Sequence, residues 1–367
     1  MRNNFKEFTQ EEVAVFIARL GQKPYRSKQI LDWIYRKFAY AFDEMTNLPT
    51  ELREGLDKTS FISHLKPLKT QISSDGTRKF LFRLEDGKMI ESVLIPNTRG
   101  ENKFTLCISS QAGCALGCAF CLTGKLGLKR NLKAFEIVDQ VIAVSKIISD
   151  PSAPSVERRG ERTTSVEALV QPSITNIVFM GMGEPLNNFN EVSEALSRIT
   201  KLMGFSMKRI TVSTAGIIPG IYKLAEKAPG VNLAISLNAT TDETRSRIMP
   251  VNRKYPLKDL LRACKEYPLA AGKRMTFEYV LLEGINDTKD DAVRLVKLLK
   301  GIRAKVNLIP YNPAPEQQMS KLCRRSSGDK VLEFQNILLK AKIMAIIRKS
   351  MGADISAACG QLKADYQ

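Results

Sequence analysis

The sequence lacks any long hydrophobic run, and this absence excludes a membrane-spanning helix. None of its 367 residues belongs to a stretch of about twenty apolar residues, the length that a bilayer core requires. The first ten residues, MRNNFKEFTQ, contain no apolar segment of the kind found in signal peptides. With 44% hydrophobic and 26% charged residues, the composition is typical of a globular chain. We therefore expect a cytoplasmic protein with no membrane partner.

Acidic residues are scarce relative to basic ones. The sequence has 38 Asp and Glu against 56 Lys and Arg, which gives a formal net charge of +18. A protein this basic attracts polyanions, and the release of counterions drives its binding to nucleic acid. Nucleic acid is therefore the expected partner. A basic protein without such a partner is the alternative that the composition leaves open.

The chain has a single histidine and an odd number of cysteines. Seven cysteines without a signal peptide argue against a disulfide scaffold and favour metal or redox chemistry. Cys114, Cys118 and Cys121 lie within eight residues in QAGCALGCAFCLTGK, and three thiolates from one loop can hold three irons of a cubane cluster. The alternative is zinc, which needs a fourth Cys or His, and the one histidine, His64, lies in the N-terminal part. The spacing favours iron–sulfur.

The pattern of apolar residues predicts three regions before the C-terminal segment. Residues 1–65 form a helical accessory domain, in which Thr9 and Glu12 make a capping box. Residues 66–100 form a β linker or hairpin. Residues 101–348 alternate strand and helix patterns. Six strand candidates lie at 103–109, 174–180, 208–213, 231–237, 274–282 and 305–309.

Six βα units predict an α/β fold in which a parallel sheet curls into a partial (β/α)6 barrel. Residues 149–173 interrupt the pattern; they are polar and contain proline, and we expect a surface insertion there. Chemistry in such a barrel lies at the C-terminal ends of the strands. There, Gly183 lets the backbone approach a ligand and Glu184 offers a carboxylate to an ammonium group. Residues 349–367 form a C-terminal segment.

The segment CALGCAFC, after the first barrel strand, resembles the signature of the radical S-adenosylmethionine (SAM) superfamily. The resemblance implies one [4Fe-4S] cluster, ligated by the three clustered cysteines, with one exchangeable iron that binds SAM. Asn238 stands where the family usually has His; it can form hydrogen bonds but cannot carry a proton at neutral pH. The resemblance also implies SAM contacts from Gly183, Glu184, Ser213, Ser236, Leu237, Asn238 and Asn312. Taken singly, the Ser and Asn residues could be ordinary turn formers.

Further motifs resemble one family within that superfamily. TGKLGLKRNL, MGMGEPLNN, VNLIPYNP and CGQL resemble the bacterial RNA adenine-C2 methyltransferases. This resemblance implies methylation at C2 of adenine 2503 in 23S rRNA and of adenine 37 in some tRNAs, with two SAM per turnover. It implies a flavodoxin-like electron donor and an RNA-binding role for the accessory domain. We expect a monomer.

The same resemblance implies roles for three residues outside the cluster motif. Cys359 accepts the methyl group as S-methylcysteine and later forms a transient disulfide with Cys107. Glu91 is the proton acceptor for C2–H. From the residues alone, Cys359 could equally be a small buried side chain, and Glu91 a surface carboxylate on an edge strand. Cys264 and Cys323 match no role.

RNA is expected to meet the mouth of the barrel, where its target base must leave the stack to reach the site. Candidate RNA contacts are Lys125, Lys129, Arg130, Arg324 and Arg325. Two other functions stay open on the sequence. One is the related adenine-C8 methyltransferase, which shares the two-cysteine mechanism, and the other is a non-catalytic RNA-binding protein whose cluster only stabilises the fold.

Overall fold

The computed structural model describes residues 2–97, 102–150, 173–313 and 323–364. Most of the insertion expected at 149–173 falls outside these residues. No helix in the described ranges is both long and apolar enough to cross a bilayer. The buried apolar side chains of the described residues form one continuous core.

The chain begins with a small helical unit. The capping box expected at Thr9 and Glu12 is present, with each side chain accepting a hydrogen bond from the other residue's backbone N–H. Two short strands at the ends of the unit pair in parallel and close it. Its elements are β1 (Asn3–Asn4), α1 (Gln10–Arg19), α2 (Tyr25–Tyr35), α3 (Thr50–Thr59) and β2 (Ser60–Phe61).

Three antiparallel strands come next, and they join the main sheet rather than forming a separate hairpin. They are β3 (Pro67–Ile72), β4 (Arg78–Arg83) and β5 (Met89–Pro96). A turn at Asp86-Gly87 connects β4 to β5, and Gly87 adopts a φ of +79° there, which favours glycine. Strand β5 then pairs antiparallel with β6 (Lys103–Cys107), the first strand of the parallel part.

The parallel part contains seven strands, one more than the sequence predicted. The additional strand, β14, is only four residues long, and its half-exposed apolar pattern is indistinguishable from a helix end. The remaining elements are β7 (Gln111–Gly113), α4 (Leu122–Lys125), β8 (Leu128–Asn131), α5 (Ala134–Ser149), β9 (Ser173–Phe179), α6 (Phe189–Ser197), β10 (Ile210–Thr214), α7 (Ile218–Lys227), β11 (Asn232–Ser236), α8 (Asp242–Ile248), α9 (Leu257–Glu266), β12 (Met275–Leu281), α10 (Lys289–Leu298), β13 (Ala304–Pro310), α11 (Gly328–Lys340) and β14 (Met344–Ile347).

The ten-stranded sheet runs in the order β14-β13-β12-β11-β10-β9-β6-β5-β4-β3. Every pair from β6 to β14 is parallel, and the helices between the strands pack onto the sheet. Its edge strands, β14 and β3, do not pair with each other in the described residues. The predicted α/β fold with an open, partial barrel is therefore confirmed, with the antiparallel strands extending one edge.

The C-terminal segment after β14 crosses to the opposite edge of the sheet. The Gly352 backbone N–H donates to Asp75 Oδ2 at 2.8 Å, and the Ser73 hydroxyl donates to Asp354 Oδ1 at 2.5 Å. Ser73 and Asp75 lie in the turn between β3 and β4. Since β14 and β3 are the two edges of the sheet, this segment bridges the opening between them.

Buried charges attach the helical unit to the barrel. Lys6 Nζ contacts Asp139 Oδ1 of α5 at 2.5 Å, and both side chains are almost wholly buried. Arg198, in the π-helical turn that follows α6, donates to the backbone oxygens of Lys6 and Phe8. Arg36 Nε donates to the Leu202 backbone oxygen at 2.9 Å. These contacts fix the position of the unit on the barrel.

We expect Lys6→Met to destabilise the protein by about 3–5 kcal/mol, because it leaves the Asp139 carboxylate buried without its partner. Chemical denaturation measures the loss. The matched control is Arg2→Met, which breaks an ion pair with Asp57 in which both side chains are about half exposed; there the change should stay below about 1 kcal/mol. Equal effects of the two substitutions would contradict a docking role for Lys6.

Candidate active site

The cysteine motif lies on a loop that a short hairpin closes. Strands β7 and β8 pair antiparallel, and the Cys114 N–H donates to the Gly127 oxygen at 3.1 Å. Gly113 has a φ of +80°, and a Cβ there would lie 1.9 Å from the Gly127 oxygen. Only glycine fits at this position. Within the loop, the Cys121 N–H donates to the Cys118 oxygen at 3.1 Å, so the backbone turns tightly between these two ligand candidates.

The three thiols of the loop are close enough for their charges to affect one another. Burial raises the pKa of Cys114 to about 11 and raises the pKa values of Cys118 and Cys121, and the charges of Cys114 and Cys121 contribute to the shift of Cys118. The described residues contain no compact group of three ligands for a single metal ion. In a cubane, each cysteine binds a different iron. The three cysteines of this loop can therefore supply three of the four iron ligands of a [4Fe-4S] cluster.

The glycine-rich segment after β9 packs directly onto the end of β6. The Met182 N–H donates to Ser109 Oγ at 2.9 Å, and the Glu184 N–H donates to Gln111 Oε1 at 2.7 Å. A Cβ on Gly183, whose φ is +98°, would lie 2.5 Å from the Gln111 Cβ. We expected Gly183 to let the backbone approach a ligand. In the structure, the side chain that packs closely against Gly183 is that of Gln111.

Glu184 connects the ends of two barrel strands. Its side chain is buried; Oε1 accepts from the Leu186 N–H at 3.1 Å and Oε2 accepts from the Ala215 N–H at 2.7 Å. Burial raises the pKa of Glu184 to about 7, although these hydrogen bonds act in the opposite direction. The Thr214 side chain supplies a third hydrogen bond to this carboxylate, so one of its four acceptor positions is left. Ser213, another residue expected to contact SAM, lies half-buried near the end of β10.

The segment Ser236-Leu237-Asn238 lies at the end of β11, and the Asn238 side chain forms hydrogen bonds with other protein groups. Asn238 has a φ of +57°, a left-handed conformation that Asn adopts more readily than most residues. Its Oδ1 accepts from the Val280 N–H at 2.8 Å, and its Nδ2 donates to the Met249 sulfur at 3.2 Å. The backbone conformation therefore gives a physical reason for Asn at this position.

Arg245 is a central residue of this region that the sequence did not reveal. Its guanidinium is fully buried and donates to the backbone oxygens of Ala215, Ser236 and Leu237 at 2.6–3.1 Å. Burial lowers the pKa of Arg245 to about 10. It thereby holds the ends of β10 and β11 together. In the sequence DETRSRI, an arginine on a polar helix gives no signal of burial.

The C-terminal segment runs beside the cluster loop. The Leu122 N–H donates to the Gly360 oxygen at 2.8 Å, and the Thr123 hydroxyl donates to the Leu362 oxygen at 2.6 Å. Asn312, after β13, donates to Ser350 Oγ at 2.6 Å. Asn312 was expected to contact SAM; in this structure its side chain is hydrogen-bonded to the start of the C-terminal segment.

Cys359 lies at the mouth of the barrel, just before two contacts of the C-terminal segment. The Gly360 oxygen accepts from the Leu122 N–H of the cluster loop at 2.8 Å, and Gln361 Nε2 donates to the Asn312 oxygen after β13 at 3.4 Å. We call the place defined by Cys359, Leu122 and Asn312 the recess.

Cys359 is exposed as a residue, and the pKa of its thiol is raised to about 11, first by burial and then through the charges of Glu278 and Cys121. Burial also raises the pKa of Cys107, at the end of β6, and the charge of Cys359 contributes. All seven cysteines are free thiols.

Glu91 is buried in β5, between β4 and β6, and it is not the edge-strand surface carboxylate that the sequence left open. Its Oε1 lies 3.1 Å from Lys79 Nζ. Its Oε2 accepts from the backbone N–H groups of Lys363 and Ala364 at 2.9 and 3.1 Å. Glu91 therefore contacts the C-terminal segment that carries Cys359.

The basic residues expected to contact RNA divide into two groups. Arg130 forms a bidentate ion pair with Glu136 and a second ion pair with Asp86, and Arg325 donates to Asn312 Oδ1 at 2.8 Å. These two arginines hold loops in place. The others, Lys125, Lys129 and Arg324, are exposed. Of the cysteines without an expected role, Cys264 and Cys323 are both buried.

Two family models match the chain. Residues 3–62 match the ribosomal RNA large subunit methyltransferase N-terminal domain, and residues 108–299 match the radical SAM superfamily. The second match includes all three cysteines of the cluster loop and the strand ends from β9 to β12. It is therefore the barrel with its candidate site that carries the superfamily resemblance.

Curated relatives match over nearly the whole chain. The dual-specificity RNA methyltransferase RlmN of Geotalea uraniireducens is 47% identical over 98% of this chain and 96% of its own length. The protein of the same name from Geobacter sulfurreducens is 48% identical over 98% of this chain and 92% of its own length. The crystal structure of a radical SAM methyltransferase from Sphaerobacter thermophilus superposes with a TM-score of 0.85 at 40% identity, covering 99% of this chain and 100% of that one. The chain belongs to the RlmN family of radical SAM RNA methyltransferases.

Proposed function

We propose that this enzyme methylates C2 of adenine 2503 in 23S rRNA and C2 of adenine 37 in some tRNAs, through an S-methylcysteine on Cys359. The names of the curated relatives support RNA as the substrate, and so does the net charge of +18. The observation that carries the proposal is the contact of the C-terminal segment with the cluster loop. Gly360, the residue after Cys359, accepts from the Leu122 N–H at 2.8 Å and lies beside Cys121, and Glu91 accepts from the same segment at Lys363 and Ala364.

The cluster loop supplies the proposed cofactor site. Cys114, Cys118 and Cys121 would hold one [4Fe-4S] cluster and leave a single exchangeable iron for SAM. When bound, the cluster and SAM supply a carbon-centred radical and the methyl group. Glu184 retains one acceptor position for an ammonium group. The remaining strand-end residues expected to line the SAM site are Gly183, Ser213, Ser236, Leu237, Asn238 and Asn312.

Two cysteines outside the cluster loop fit the demands of the substrate. C2 of adenine is electron-poor, so it does not take a methyl group as a nucleophile; the Cys359 thiolate does. Once the one-carbon unit joins C2, the adduct loses one electron, which a bound cluster could accept, and Glu91 accepts the C2 proton. The Cys107 thiolate then attacks the sulfur of Cys359 and the sulfur–carbon bond breaks. The carbon keeps the electron pair of that bond and takes up a proton to become the methyl group, and a disulfide remains. A dithiol reductant must restore both thiols before the next turnover.

RNA binding and electron supply complete the proposal. Residues 1–65 act as an accessory RNA-binding domain, with Lys125, Lys129 and Arg324 contacting phosphates near the barrel mouth. The target adenine leaves its stack to reach the recess. A flavodoxin-like protein supplies the electron, and the enzyme acts as a cytoplasmic monomer.

The function is tested by locating the methyl group on the product. Purified enzyme with SAM, reductant and unmethylated 23S rRNA should place a methyl group on C2 of adenine 2503, as digestion and mass spectrometry with a synthetic standard will show. Cys359→Ala should abolish methylation, and Cys107→Ala should accumulate an RNA adduct on Cys359, because no thiol releases it.

The control for both substitutions is Cys264→Ala, which removes a buried thiol of α9 that has no part in the proposed chemistry. Its methylation should stay near the wild-type level. A methyl group at C8 would instead support the related C8 activity. RNA methylation by Cys359→Ala would contradict the S-methylcysteine route.

We expect Gly113→Ala to reduce the iron and sulfide content of the purified enzyme severalfold, because its Cβ would collide with the backbone oxygen of Gly127 and open the hairpin that closes the cluster loop. Anaerobic purification followed by iron and sulfide assays measures this. The matched control is Gly117→Ala in the same loop. Gly117 also has a positive φ, but no atom lies within 4 Å of its added Cβ, so its cluster content should fall much less.

The reactivity of Cys359 should rise steeply with pH. Because its pKa is raised to about 11, the thiolate fraction grows about tenfold per pH unit between about pH 7 and 9. In cluster-free protein, peptide mass spectrometry of iodoacetamide-treated samples should show the same slope at Cys359. Glu278→Gln removes a negative charge and should lower the pKa, speeding alkylation at pH 8. The control is Glu283→Gln, which replaces an exposed carboxylate after β12. A plateau of the alkylation rate below about pH 9 would contradict the raised pKa of Cys359.

A further inference from the structure

The C-terminal segment is attached to one ion pair on both sides of Cys359. Before the cysteine, the Ser356 backbone oxygen accepts from Lys79 Nζ at 3.2 Å. After it, the N–H groups of Lys363 and Ala364 both donate to Glu91 Oε2. Lys79 Nζ and Glu91 Oε1 are 3.1 Å apart. The ion pair thus touches the segment at Ser356 and again at Lys363, with the thiol between these points.

The sheet register explains why Lys79 and Glu91 meet. Leu81 of β4 lies directly opposite Glu91 of β5. Lys79 lies two residues from Leu81, and residues two apart in a strand share one face of the sheet. Lys79 and Glu91 are therefore diagonal neighbours on the same face, and both are buried, with side-chain exposures of 8% and 5%.

The ion pair and the C-terminal segment, called the tail below, stabilise each other. A buried carboxylate is stable only when charged partners and hydrogen-bond donors replace the water that it has lost. Here Lys79 contributes the charge, and the two tail N–H groups contribute charge-assisted hydrogen bonds, which are stronger than neutral ones. If the tail left, Glu91 would lose two of these three donors. If Lys79 lost its charge, the carboxylate would be held by the tail alone.

We propose that Lys79 is a positioning residue, which together with Glu91 clamps the C-terminal segment so that Cys359 stays beside the cluster loop. The clamp is defined by Lys79, Glu91, Ser356, Lys363 and Ala364. Its effect on methyl transfer rests on the proposed function. The position of the tail does not, and it can be measured without RNA.

The test compares Lys79→Met with Lys69→Met and Lys79→Arg. Lys69 is an exposed lysine of the adjacent strand β3, so its substitution removes the same charge from the same hairpin without touching the tail. Hydrogen–deuterium exchange of the C-terminal peptide reports on the amides of Lys363 and Ala364. Lys79→Met should raise their exchange rate about tenfold. Lys69→Met should leave it unchanged, and Lys79→Arg should restore most of the protection.

Kinetics separate positioning from RNA binding. Because Lys79 is buried, Lys79→Met should lower kcat about tenfold or more and change the KM for RNA by less than about twofold. Folded Lys79→Met with wild-type exchange at the tail amides would overturn the proposal. If faster exchange is found but even the wild-type enzyme methylates no RNA, the clamp stands and the proposed function fails.

A second variant covers the case in which Lys79→Met does not fold. A chain that ends at Leu362 lacks both N–H donors to Glu91 and leaves the sheet intact. Its amides over residues 357–361 should exchange about tenfold faster than those of the wild type. Unchanged exchange in this truncated chain would also overturn the clamp.

Discussion

An open sheet has two edges, and in this fold the chain end crosses from one edge to the other. The hydrogen bonds from Gly352 to Asp75 and from Ser73 to Asp354 attach the segment after β14 to the turn between β3 and β4. Every proposed role of Cys359 depends on this crossing, since the cysteine lies far along the chain from the cluster loop. The antiparallel strands added before the barrel provide the surface on which the crossing ends.

Buried charged side chains connect the ends of neighbouring barrel strands. Glu184 connects β9 to β10, and Arg245 connects β10 to β11. Lys6 and Asp139 attach the helical unit. Such groups are stable in the interior only with complete sets of partners. They therefore fix the surroundings of the recess more strictly than apolar contacts would, because an apolar core tolerates small shifts at lower cost.

Features that depend on neighbouring residues could be predicted from the sequence. The spacing of the three cysteines, the capping box at Thr9 and the alternation of strands and helices all reflect local chemistry, and the family and fold that they indicated are confirmed. Strand β14 was missed, because four half-exposed residues carry too little periodicity to distinguish a strand.

Features that depend on distant partners could not be predicted. Arg130 reads as a solvated charge until the fold places Asp86 and Glu136 beside it. Arg245 is polar in sequence and fully buried in space. For Asn238, the sequence showed a departure from the family pattern, but only the left-handed backbone explains why Asn suits the position. Burial and long-range hydrogen bonds decide these cases, and neither is encoded within a short window.

The carboxylate of Glu91 has two partners under the proposed chemistry, the N–H groups of the chain end and the C2 proton of the target base. Its Oε2 accepts two backbone hydrogen bonds from the chain end, and a proton taken up at either oxygen removes the negative charge that strengthens these bonds. Under the proposed chemistry, the moment at which the base loses its hydrogen is then also the moment at which the chain end loosens. The order of events in a turnover would follow from the protonation of one carboxylate, with no separate gate.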